Sequence, residues 1–296
     1  MNGGDCFPGF ASRHIAVGDA TIHVRIGGDG PALALLHGYP QSHLMWRKIA
    51  PRLASRFTVV APDLRGYGQS TAPASRGGAA YSKRVMANDV VTLMRNLGFS
   101  RFSLAGHDRG GRVAYRLALD HPERVEKVAV LDIVPTAEMW RGMDAAQAMK
   151  VYHWLFLAQP EPLPETLISG SSQAYIDHTL ASWTAANSLD CFGEALPHYR
   201  AAFTDPLRIH AMCEDYRAGA TLDREADEAD FAAGKKIEPA LLALWGETGI
   251  PAAGGSPFEV WQSWANNVRG QSVKGGHFLP EEAPEPTLQA LIEFFS

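Results

Sequence analysis

Five short apolar runs, set apart by amphipathic stretches, leave this chain few folds to choose from. They are Ala32–Leu36 (ALALL), Thr58–Ala61 (TVVA), Phe102–Ala105 (FSLA), Val128–Ile133 (VAVLDI) and Ala240–Trp245 (ALLALW). Each has the length of a strand buried on both faces. The stretches around them predict helices over Leu44–Ala54, Tyr81–Leu97, Arg109–Asp120 and Thr287–Phe295. In the second of these, Val85, Val90, Val91, Leu93 and Met94 recur close to the helical period, and Gly98 follows as a stop. Ile15–Val17 and Thr21–Ile26 read as an opening hairpin. Repeated strand–helix–strand units predict an α/β fold: a mostly parallel sheet flanked by helices.

The rhythm breaks between about Pro135 and Lys236, where helix-like patches replace strands and prolines 160, 162, 164, 197 and 206 punctuate the chain. A helical cap over 135–236 is expected there, inserted between core segments 1–134 and 237–296, because loop tips tolerate insertion. The acidic run Asp223–Asp230 is expected to be a solvated helix face. Net charge is −5 with no basic stripe, which argues against nucleic acid or an anionic membrane surface as partner. No apolar segment approaches the ~20 residues that span a bilayer. The start, MNGGDCFPGF, lacks the basic and apolar regions of a secretory signal. The three cysteines, Cys6, Cys191 and Cys213, fit a reducing cytoplasm better than a disulfide framework. His, Cys and carboxylates do not fall at zinc spacings, so neither metal nor organic cofactor is expected.

After the third run comes Gly106-His107-Asp108-Arg109-Gly110. Glycines flank the centre of a tight strand-to-helix reversal, which pushes the middle side chain into the open. The free N–H groups of the following helix favour negative charge at that point. A plain turn with Asp108 as a helix cap is the competing reading. Where many hydrolases place a serine, this chain has a carboxylate. It is ionised at neutral pH without help from a base. It suits displacement at a saturated carbon carrying a leaving group, and the resulting ester needs a base for water and donors for an oxyanion. His277, in Lys274-Gly-Gly-His-Phe278, lies where that base belongs, after the last strand. The backbone N–H groups of Tyr39, in His37-Gly-Tyr-Pro40, and of Arg109 are the candidate oxyanion donors. Asp132 is favoured over Glu247 as the acid that orients His277, since a carboxylate in an apolar strand end must be paired. Arg109 and Arg112 beside an anionic nucleophile point to a substrate carboxylate, which a guanidinium binds bidentately. The alternative for Arg112 is a structural ion pair.

With these residues in view, the chain resembles the fluoroacetate (haloacetate) dehalogenases, a branch of the α/β-hydrolase fold related to haloalkane dehalogenases and epoxide hydrolases. HGYP at 37–40, PDLRGYGQS at 62–70 and GGHF at 275–278 are shared with epoxide hydrolases. More specific are Asp108-Arg109 with Arg112, Leu131-Asp-Ile-Val-Pro135, His153-Trp154 and Glu214-Asp-Tyr-Arg217. Arg109 replaces the Trp common after the nucleophile in the two related groups. The resemblance implies that Asp108 attacks the α-carbon of a haloacid, Asp132 orients His277 and His277 activates water. It implies that Arg109 and Arg112 hold the carboxylate, and that His153, Trp154 and Tyr216 donate to the departing halide. Without the resemblance those three would read as packing. It also implies a homodimer. Tyr39 stands where Phe is expected and leaves the preferred halide open. An epoxide hydrolase is the competing enzyme, with Tyr216 and either Tyr152 or Tyr175 as acid. A catalytically idle binding protein is a further alternative, against which the intact Asp108, Asp132 and His277 speak.

Overall fold

The apolar runs form the middle of an eight-stranded sheet of order β1-β2-β4-β3-β5-β6-β7-β8. The strands are β1 Ala11–Val17, β2 Ala20–Gly27, β3 Ala32–Leu36, β4 Thr58–Pro62, β5 Phe102–His107, β6 Val125–Leu131, β7 Ala240–Gly246 and β8 Val268–Val273. The structure, a computed structural model, describes residues 6–251 and 255–296. The reading of the N-terminal decapeptide falls partly on residues 1–5, outside the described residues. β1 and β2 pair antiparallel, as do β2 and β4. All remaining pairs are parallel.

Strand order reverses at β3. The chain passes from β3 outward to β4, then returns to β5 on the other side. That switch opens a crevice at the carboxyl ends of β3 and β5, the usual place for a ligand in such sheets. Register brings the neighbouring strand ends level: Leu36 opposes Gly106, His107 opposes Leu131, and Leu131 opposes Leu244. Residues just beyond these ends therefore meet in space although they lie far apart in sequence.

The helix Lys83–Asn96 begins where Ser82 Oγ accepts the Val85 N–H. Asp108–Asp120 and Pro284–Phe295 also lie close to expectation. Leu44–Ala54 does not form one helix. It splits into a tight turn at His43–Trp46 and a short helix at Ala50–Leu53, because Pro51 has no N–H to continue the ladder. β8 is exposed along most of its length, so no apolar run marks it.

Between β6 and β7 the described residues form helices and turns without a strand, from Thr136–Arg141 to Leu222–Ala232. The acidic run corrects its expectation. Glu225 and Glu228 are exposed, but Asp223 and Asp227 are buried. Asp227 accepts from Arg116 Nη2 at 2.7 Å and from the Tyr115 hydroxyl at 2.7 Å. Asp223 accepts the Lys83 N–H at 2.7 Å. One face of this helix thus docks the insertion onto the core. No described helix is long and apolar enough to cross a membrane.

Candidate active site

Asp108 sits at the crevice, at φ 47, a conformation that costs a non-glycine residue strain. The turn closes only around glycines. A Cβ on Gly106 would strike the Gly110 carbonyl, and one on Gly38 would strike the Asp108 side chain. Asp108 Oδ1 accepts the Tyr39 N–H at 2.8 Å. Its Oδ2 lies 3.9 Å from His277 Nε2. His277 Nδ1 donates to Asp132 Oδ2 at 2.6 Å, and Nε2, aimed at Asp108, has no protein partner. Asp132 is itself held by the Gly246 N–H at 2.9 Å and the Ile250 N–H at 3.2 Å. It too has positive φ, 54, and Gly249 approaches too closely to carry a Cβ. Glu247 is exposed. The geometry therefore brings Asp108, His277 and Asp132 into one chain of contacts and leaves Glu247 out.

Burial works against ionisation of Asp108, but the positive potential of His277, Arg109 and Arg112 outweighs it and holds the carboxyl below its usual range. Burial likewise opposes protonation of His277. The hydrogen bond and charge of Asp132, with the charge of Asp108, outweigh that burial and raise its pKa above 6.5.

The two arginines differ. Arg109 Nε donates to Asp215 Oδ1 at 3.0 Å and Nη2 to the Asp215 carbonyl at 2.6 Å. This leaves Nη1 without a partner, and the guanidinium lies 4.3 Å over the Tyr216 ring. Arg112 has no ion pair among the described residues. Its Nη1 donates to the Val134 carbonyl and Thr136 Oγ1, each at 3.0 Å. Its Nε has no partner, and its guanidinium lies 4.5 Å over Trp154. The structural ion pair weighed for Arg112 belongs to Arg109 instead.

The insertion supplies the opposite wall. His153 and Trp154 come from the helix Tyr152–Leu157, and Tyr216 from Pro206–Ala220. The His153 and Tyr216 rings lie 5.6 Å apart, and Trp154 and Tyr216 6.2 Å. His153 Nδ1 and the Tyr216 hydroxyl have no protein partner. Burial pushes His153 down to about 3 and Tyr216 well up, so both are neutral at pH 7, and both feel the charge of Asp108. The Tyr39 ring packs 5.2 Å from Tyr216, and its hydroxyl donates to Tyr175 at 3.1 Å. Arg109, Arg112, His153 and Tyr216 thus share the electrostatic surroundings of Asp108, Tyr39 donates to it, Trp154 packs on both arginines and Tyr216, and Glu247 stands apart.

The alpha/beta hydrolase fold family model matches residues 31–284. A fluoroacetate dehalogenase from Burkholderia sp. is 45% identical over 98% of this chain and 95% of its own length. The chain belongs to the fluoroacetate dehalogenase family of α/β-hydrolases. A soluble epoxide hydrolase from Corynebacterium sp. (strain C12) is 34% identical over 93% of each chain. A solved structure from Nostoc sp. PCC 7120, provisionally assigned as an α/β-hydrolase, superposes with a TM-score of 0.94 at 50% identity, covering 97% of this chain and 98% of that one.

Within this dehalogenase-family site, sequence reasoning missed Asp215 and Trp183. Asp215 is buried against Arg109 and Lys83, and accepts from the Tyr67 hydroxyl at 2.7 Å. It stands beside Tyr216 in the quoted Glu214–Arg217 motif, with no local signal of its partners, which lie 106 residues or more away in sequence. The Trp183 ring lies 5.3 Å from His277 and 4.3 Å from His153. One further polar group, His23, His43 and Asp63, has the proximity of metal ligands. Both imidazoles donate Nδ1–H to Asp63, at 2.9 and 2.8 Å, and Asp63 also accepts the His43 and Gln69 backbone N–H groups. Those protons make it a hydrogen-bonded network around a carboxylate.

Proposed function

We propose that this chain hydrolyses a 2-haloacetate to glycolate and halide through an ester on Asp108. Arg112 carries the reading. A buried guanidinium with no acidic partner among the described residues and an unpartnered Nε is costly to keep unless an anion meets it. A substrate carboxylate is such an anion, and Arg109 Nη1 offers a second donor. The neutral ring of an epoxide would leave both unmet. Tyr152 is partly exposed and the Tyr175 hydroxyl accepts from Tyr39; the epoxide reading would need one of these two to join Tyr216 on an epoxide oxygen.

In the first step a carboxylate oxygen of Asp108 attacks the α-carbon and the carbon–halogen bond breaks. The electron pair leaves with the halide, toward His153, Trp154 and Tyr216. Fluoride is a poor leaving group and a strong acceptor, so donors aimed at the charge that appears as the bond breaks lower the barrier. In the second step neutral His277 Nε2 takes a proton from water, and the hydroxide attacks Cγ of Asp108. The Tyr39 N–H, already on Oδ1, and the Arg109 N–H serve the oxyanion. Collapse expels the alkoxide, which takes the proton of the hydroxyl added at Cγ, so glycolate leaves and Asp108 is again a carboxylate. His277 then returns its proton to solvent, with Asp132 holding the imidazolium.

Residues 135–236 act as a cap over this site. The dimer implied by the resemblance would cover Leu163 and Leu167, which stand exposed one helical turn apart; light scattering tests it. The free thiols of Cys191 and Cys213 suit a reducing cytoplasm. The central test is one turnover in heavy-oxygen water, followed by peptide mass analysis. Label in Asp108 supports the ester. Label appearing only in glycolate overturns it. Halide release from haloacetates, set against diol formation from styrene oxide, separates dehalogenase from epoxide hydrolase.

A further inference from the structure

The loop that carries His277 is held from outside by one carboxylate. Glu282 Oε2 accepts the Gly276 N–H at 3.0 Å, and Oε1 accepts the Phe278 N–H at 2.9 Å. These are the amides on either side of His277. Between them, the His277 N–H donates to the Trp183 carbonyl of the insertion at 2.9 Å. Glu282 Oε2 also accepts the Ala185 N–H of that same insertion segment, at 2.7 Å. Gly276 is pressed against the segment so tightly that a Cβ would meet the Trp183 carbonyl at 2.6 Å and the Ala185 nitrogen at 2.5 Å.

A carboxylate holding three backbone N–H groups fixes a loop more firmly than neutral acceptors would, because charge-assisted bonds are shorter and stronger. The three amides belong to two separate segments, the base loop and the insertion next to Trp183. The imidazole itself is oriented by Asp132, but Asp132 acts only on the ring. The backbone from which the ring projects is set by Glu282.

We propose that Glu282 is a positioning residue that sets His277 for the water-activating step by clamping its loop to the insertion. The inference rests on the ester mechanism above, in which His277 serves the second step alone. It therefore assigns Glu282 to ester hydrolysis and leaves carbon–halogen cleavage untouched.

The experiment is rapid-quench kinetics with chloroacetate on the full chain, comparing wild type, Glu282→Ala, Glu282→Gln and His277→Asn. In Glu282→Ala the first-turnover burst of chloride is expected within about twofold of wild type. Steady-state release should fall ~10–100-fold, the scale of a displacement near 1 Å in a reacting group. Intact mass should show a carboxymethyl group building up on the protein. Glu282→Gln keeps one accepting oxygen and should fall between the two. It also provides the result should the alanine variant fail to fold. Burst and steady state falling together in a folded Glu282 variant, or neither changing, overturns the proposal. His277→Asn separates the two levels. Accumulated ester in His277→Asn but not in Glu282→Ala sinks the Glu282 role alone. No ester in either variant sinks the mechanism beneath it.

Discussion

The two walls of the site are built on opposite plans. On the core side, Asp108, Asp132 and His277 are tied to backbone at strand ends: Tyr39, Gly246 and Ile250 donate to the two carboxylates, and glycines let the chain approach. On the insertion side, His153 Nδ1 and the Tyr216 hydroxyl have no protein partner. The arginines fall on the same divide. Arg109 is tied to the insertion through Asp215, and Arg112 bonds only neutral oxygens among the described residues. Reacting groups must be held within a fraction of an ångström, and backbone is the stiffest support available. Recognition groups have to face the molecule being bound, so their bonding capacity is left unspent. In the mechanism proposed above, the core wall would set which bonds break and form, and the insertion wall and the arginines what enters and what leaves.

The difference breaks first at the base. His277→Asn should lower steady-state turnover ~10²–10⁴-fold, the usual worth of a general base, and the ester should accumulate. Rapid-quench mass analysis reads this directly. A variant that slows halide release in the first turnover by the same factor would place His277 in both steps and blur the division.

Arg112→Leu comes next. Loss of charged hydrogen bonds to a carboxylate, each ~1.5–3 kcal/mol, predicts a fall of ~10–100-fold or more in kcat/KM for haloacetates. Arg109→Leu carries an added structural cost, since it strands Asp215 beside Lys83. Comparing haloacetate with the neutral haloacetamide separates the two. Arg112→Leu should lose its preference for the acid while keeping its melting temperature within a few degrees. An unchanged acid-to-amide ratio would remove the carboxylate argument.

Tyr216→Phe should act on the first step and scale with the halide. About tenfold loss is expected for fluoroacetate, in line with ~1–2 kcal/mol for one hydrogen bond to developing charge, and less for chloroacetate. Equal losses for both halides would return Tyr216 to packing.

The same divide explains what the sequence made legible. Backbone-held groups leave local signatures. Gly106 and Gly110 frame Asp108, glycines precede His277, and Asp132 ends an apolar run. From these, the strained turn at Asp108, the placement of His277 beside it and its pairing with Asp132 rather than Glu247 could be read directly. The insertion side left no such trace. His153, Trp154 and Tyr216 stand in ordinary amphipathic helices and stood out only through resemblance. Asp215 and Glu282 carry no local signal of what they hold: Arg109 lies 106 residues from Asp215, and Glu282, besides its near neighbours Gly276 and Phe278, reaches Ala185 97 residues away. The docking role of Asp223 and Asp227 was hidden for the same reason. β8 escaped because an exposed edge strand needs no apolar run, and the break at Leu44–Ala54 turned on one missing N–H at Pro51.

The smallest expected effect concerns pH and tests the electrostatic link across the reacting pair. Asp108 and Asp132 both raise the pKa of His277 in the free protein, against the burial that lowers it. A base must be neutral to act, so the hydrolysis step should fade as pH drops through that pKa. Forming the ester removes the charge of Asp108, and with it one of the raising influences. His277 should then titrate at lower pH in the ester than in the free protein, so the base frees itself as the intermediate that needs it forms. Because Glu282 also raises the His277 pKa, imidazole NMR of Glu282→Ala both free and as the held ester would read the two values. A value in the ester equal to or above that of the free protein would show that Asp108 and His277 are electrostatically uncoupled, and that the core wall sets geometry without also timing the proton transfer.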